Sequence, residues 1–191
     1  MKPIILAVAA TSFAAPALAQ GTRGMDAHVH GVSTAEVAVE HGRLEINLRS
    51  PGADIVGFEY VASSAADKDA VEAAIRQFLA PENIVDLPEA AACRLTGVLA
   101  HLLSGEPDHE DDHDEHAGEQ EHHDHEEEGA AHSAFQVTYA YACDDEDALG
   151  TIGFPFFQRF GKAHEIEVQY VTETGAGTAA LTPDAPVLSL D

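Results

Sequence analysis

Between Glu106 and Glu128 the chain reads EPDHEDDHDEHAGEQEHHDHEEE, six histidines interleaved with thirteen carboxylates and neither lysine nor arginine. Imidazole nitrogen with carboxylate oxygen is the donor set taken by Zn2+, Ni2+ and Cu2+. His109, His113 and His116 follow one another at steps of four and three, so a single helical turn would bring all three to one face. His123 and His125, preceded by His122, are two apart and suit an extended strand. Hard ions such as Ca2+ would use the acids alone and have no need of imidazole. The surrounding carboxylates favour the imidazolium form, so metal must displace protons and affinity falls as pH drops. The pattern therefore predicts a multi-ion, exchangeable, pH-sensitive sink. A solvated acidic spacer, the competing reading, accounts for the charge but not for the histidines. So polar a tract cannot bury apolar surface, and it is expected to be disordered.

Other histidines are candidates for a more ordered site. In Asp26-Ala27-His28-Val29-His30-Gly31 the two imidazoles project from the same side of an extended strand, which is half of a zinc site. His132, at the entry to SAFQVTYAYAC, would join them if the N-terminal strand lay beside that segment. His41 falls in a turn, His101 reads as a core histidine on an apolar strand face, and His164 heads a strand with no evident partner.

The formal charge is −25 over 191 residues, and the tract supplies thirteen of those charges. Such a surface repels nucleic acid and anionic lipid and concentrates cations. Lys2, the apolar run Ile4 to Ala10 and the small-residue site Ala17-Leu18-Ala19 predict a cleavable signal peptide over residues 1–19. That run is too short to span a bilayer, so no membrane insertion is expected, and the destination is the periplasm or the outside of the cell. Residues 20–191 then form one metal-binding domain, with 106–128 as its disordered loop. In an exported chain the two cysteines, Cys93 and Cys143, favour one disulfide over free thiols or a thiolate metal pair.

The elements that must carry these residues are legible as patterns. Ala35, Val37 and Val39 alternate with polar residues, as do Leu44, Ile46 and Leu48 after His41-Gly42, so a hairpin pairs Val39 with Leu44 and Val37 with Ile46. Ser64, with Asp67 three residues on, caps a helix whose apolar stripe is Val71, Ala74, Ile75, Phe78 and Leu79 and which Pro81 ends. CRLTGVLAHLL and FQVTYAYAC read as antiparallel strands bracketing the tract. The register that joins Cys93 to Cys143 sets Leu95 opposite Tyr141, Leu99 opposite Val137 and His101 opposite Phe135. With AHEIEVQYVT and short C-terminal strands, the count of about six strands and one clear helix predicts a single α+β domain, an antiparallel, sandwich-like or half-barrel sheet with one amphipathic helix.

These segments together resemble the ZrgA-type periplasmic zinc-binding family, long catalogued as a domain of unknown function. The resemblance runs from HVHGVSTAEVAVEHGRLEINLRSPGADIVGFEY through the cysteine strand and the His-rich loop to HSAFQVTYAYAC and IEVQYVT. It implies a Zn2+-binding protein that assists zinc uptake or trafficking, with His28 and His30 matching the family's H-x-H-G and His132 the histidine opening its post-loop strand. The position after Gly57-Phe58-Glu59, often histidine in the family, is Tyr60 here, which leaves Glu59 as a candidate beside it. A zinc transporter or its solute-binding protein is the implied partner. Cu2+, Ni2+ and Co2+ suit the same donors, so sequestration of excess copper or nickel is one alternative and an acidic-loop interaction module is another. No G-x-S-x-G, H-E-x-x-H or phosphate-cradling glycine loop is present, and no enzymatic activity is expected.

Overall fold

The computed structural model describes residues 29–104 and 132–190; the leader 1–19, His28 and all six tract histidines lie outside them. The alternating hairpin forms strands β1 (Val32–Glu40) and β2 (Arg43–Pro51), with Val39 opposite Leu44 and Val37 opposite Ile46. Its apolar residues are all buried on one face. A short helix α1 (Gly52–Ile55) follows, then helix α2 (Ala65–Phe78). Ser64 and Asp67 close a reciprocal capping box at the start of α2, so two amide donors that the helix cannot use are satisfied. Ala74 and Phe78 are buried and Val71 and Ile75 pack on the core, while Leu79 is left 45% exposed past the helix end.

Strands β3 (Cys93–Ser104) and β4 (Ser133–Cys143) bracket the tract. After β4 come β5 (Thr151–Gly153), helix α3 (Phe156–Arg159), β6 (Glu165–Thr172), β7 (Gly175–Leu181) and β8 (Val187–Ser189). Six strands make one sheet in the order β3-β4-β2-β1-β6-β7, and β5 and β8 form a separate two-stranded ribbon. The domain is mostly β with few helices, as expected, but the sandwich-like, all-antiparallel arrangement is corrected in two respects. The β1–β6 pair is parallel. One face of the sheet is covered by α2, α3 and the ribbon rather than by a second sheet, while the other carries Glu36, Glu45, Glu167 and Gln169 to the outside. The aromatic segment explains this: Phe154, Phe156 and Phe160 are buried, Phe78 stacks on Phe160 at 4.9 Å, and Tyr139 donates its hydroxyl to the Phe78 carbonyl at 2.7 Å. Each such ring removes apolar area worth roughly 1.5–3 kcal/mol, enough to complete a core from one helix layer.

The disulfide Cys93–Cys143 is formed, and Cys93 pairs with Cys143 and Leu95 with Tyr141 across the ladder. Beyond Leu95 the expected register fails. A bulge between Leu95 and Gly97 adds one residue to β3, so Leu99 faces Thr138 and His101 faces Gln136, while Ala100 and Leu102 face Val137 and Phe135. One extra residue turns every later side chain over. Leu99 is consequently 59% exposed, and His101, read as a core histidine, stands half-buried on the open face. The run Val98, Ala100, Leu102 is as apolar as Leu99, Leu103, so alternation alone cannot choose between them.

Candidate metal centre

Strand direction decides which histidines meet. β2 runs antiparallel to both β1 and β4, and β6 runs parallel to β1, so β1, β4 and β6 all begin at the same end of the sheet. His132 and His164 stand immediately before β4 and β6, and His30 stands two residues before β1. The end of β2 leads straight into α1 and the Gly57-Phe58-Glu59 segment at this same end. β2 lies between the N-terminal strand and the β3–β4 hairpin, so the adjacency under which His132 would join His28 and His30 is not the one found. That leaves His30 and His132 two strand spacings apart, about 10 Å, and a bridging group is needed.

Glu59 is that group. Its Oε2 accepts a hydrogen bond from His132 Nδ1 at 2.8 Å, and its Oε1 lies 3.2 Å from His30 Nε2. An ionised carboxylate can only accept, which makes Nδ1 of His132 the protonated nitrogen and leaves its Nε2 lone pair for a metal. The local backbone explains the presentation. The amides of Val56 and Gly57 both donate to the Gly52 carbonyl, and Gly57 turns the chain at φ +91°. In the extended stretch that follows, Phe58 and Tyr60 share one side and stack at 4.7 Å, so Glu59 points to the other. Tyr60 reaches toward Asp67 at the start of α2, which removes it from the site. A Cβ at Gly52 would run into Ser133 Oγ and the Phe58 carbonyl; its absence lets α1 sit against the residue that follows His132.

The electrostatics suit a cation. The Glu59 side chain is 13% exposed, against 67% and 53% for His30 and His132. Burial pushes its carboxyl upward, but the hydrogen bond from His132 and the nearness of His30 outweigh that and hold it below the usual range. Its Oε1 is buried and faces His30 Nε2 at 3.2 Å without a well-directed hydrogen bond. Behind it lies Asp54, 5% exposed, whose carboxyl is pushed up by burial and held back by the Gly31 amide and then by His30. Among the described residues no group of three or more His, Cys, Asp or Glu side chains is assembled to hold a metal ion. What is assembled is a pair of imidazoles oriented by one partly desolvated carboxylate, side chains of the types that zinc accepts.

The family model for the ZrgA family zinc uptake proteins matches residues 27–190. The chain belongs to that family. A search of curated proteins found no match. A ZrgA-family chain has a zinc-related role, and no helix among the described residues is long and apolar enough to cross a membrane. Of the ligands expected for this ZrgA-family member, His30 and His132 are brought together through Glu59. His28, His109, His113, His116, His122, His123 and His125 lie outside the described residues, although Ser104 and Ser133, the residues flanking the tract, pair at the same end of the sheet as Glu59. Cys93 and Cys143 are joined to each other and stand at the far end of β4. Sequence reasoning passed over Asp54 and gave His164 no partner, yet both lie beside Gly31. The one available signal was the glycine directly after H-x-H, which marks a backbone conformation other residues resist.

Proposed function

We propose that this ZrgA-family protein captures Zn2+ in the periplasm at two kinds of site and supplies it for uptake. The acidic histidine tract Glu106–Glu128 is the high-capacity, exchangeable sink. The second site is on the folded body, where the rings of His30 and His132, oriented by Glu59, hold one ion, with His28 as a further donor two residues from His30. The Glu59 carboxylate between two imidazoles from distant parts of the chain is the observation that carries this reading. A carboxylate in that position orients both rings and adds negative charge where a dication would sit. The tract enters the body at His132, so ions held there are close to the body site by covalent connection. The receiving partner is a zinc transporter or its solute-binding protein, and the protein acts as a binder rather than a catalyst.

Native mass spectrometry with zinc titration, comparing the full chain with one lacking Glu106 to Glu128, tests both sites. The expected result is several ions on the full chain and one retained after the deletion. Loss of all binding with the tract would dismiss the body site, and an unchanged ion count would dismiss the sink.

A further inference from the structure

We propose that Asp54 is a positioning residue for the body zinc site, setting His30 in place by clamping the Gly31 peptide. Both Asp54 oxygens accept the Gly31 amide, each at 2.9 Å, across 23 residues of sequence. On the other side of the same residue, the Gly31 carbonyl accepts from the amides of His164 at 2.8 Å and Glu165 at 3.0 Å. Gly31 has φ +87°, and a Cβ there would lie 2.9 Å from His164 Cδ2, so any side chain at this position is strained and displaces the His164 ring. Backbone on both flanks and a carboxylate therefore determine where the residue before Gly31 points.

His30 needs that help. Its ring is two-thirds exposed and touches Glu59 at 3.2 Å without hydrogen-bond geometry, so its own contacts hold it weakly. Asp54 itself is buried, and a buried carboxylate is costly unless it is hydrogen-bonded. Both its oxygens are directed at one amide adjoining a ligand, although a neutral acceptor could satisfy that amide at less cost. Such placement matches the outer-shell groups that fix ligand orientation around metals, whose removal lowers affinity about 10–100-fold.

The inference rests on the body-site reading above, and the experiment separates the two. In the full chain with the six tract histidines changed to glutamine, zinc is titrated calorimetrically at pH 7 into the parent and into His30→Ala, Asp54→Ala and Asp54→Asn. Unfolding is followed in parallel with metal removed by EDTA. His30→Ala should abolish the remaining ion. Asp54→Ala should keep the stoichiometry of one but weaken binding about tenfold or more. Asp54→Asn, which keeps one acceptor oxygen for Gly31, should fall between the parent and Asp54→Ala. Lowered unfolding midpoints with parental zinc affinity in both Asp54 variants would overturn the positioning role and leave the site standing. Should Asp54→Ala not fold, parental affinity in Asp54→Asn alone overturns it. Parental binding in His30→Ala would overturn the site, and the role of Asp54 with it.

Discussion

Replacing Cys93 and Cys143 together with alanine should cost the fold about 4 kcal/mol and no metal. The bridge joins residues 50 apart. In the chain-entropy treatment, closing a loop of that length removes roughly 14 cal/mol/K from the unfolded chain, about 4 kcal/mol at 25 °C. For a domain of this size each kcal/mol moves the melting midpoint about 2–4 °C, so a fall of roughly 8–16 °C is expected. The bridge stands at the opposite end of β4 from His132. The intervening 11-residue strand, at about 3.3 Å per residue, spans some 36 Å. Disulfide and metal site should therefore be independent. Thermal melts in EDTA, paired with zinc titration below the lowered midpoint, read both quantities from one pair of proteins. An unchanged midpoint would refute the loop-entropy argument. A lost ion would refute the separation of staple from site and restore sulfur as a ligand.

Glu59→Gln, in the chain whose tract histidines are glutamine, should weaken the residual zinc binding at least about tenfold by calorimetry; equal affinity would remove Glu59 from the site. Because the Glu59 carboxyl is held below its ordinary range, the stability it contributes without metal is present above that range and lost as pH falls through the lowered value. The stability difference between parent and Glu59→Gln should accordingly vanish on acidification. Gly31→Ala, at φ +87° against the His164 ring, should cost about 1–3 kcal/mol in a urea melt and weaken zinc binding as well. Burial pushes the Tyr141 hydroxyl up to about 12. Its contribution is therefore complete below the ordinary tyrosine value near 10 and lost as pH rises toward 12, an alkaline arm that Tyr141→Phe should flatten.

The parts of this molecule that alternation and capping could specify were legible in the chain. They include the β1–β2 register, the Ser64–Asp67 box on α2 and the pairing of Cys93 with Cys143. Each depends on residues near in sequence or on a single covalent partner, so a local pattern carries it. The bulge at Thr96 was not legible, because Val98, Ala100 and Leu102 offer the core as good an apolar face as the residues beside them. Nor was the parallel β1–β6 pair, which depends on how the phenylalanine segment packs beneath the sheet. The donor types came from the sequence: His30 and His132 stand out by spacing and motif, and Glu59 only through the family resemblance around Tyr60. Their meeting depends on strand order and direction, which set three strand starts and the end of β2 at one edge. The hold of Asp54 on Gly31 is likewise tertiary, since an amide and a carboxylate 23 residues apart carry no mark of each other until the sheet has formed.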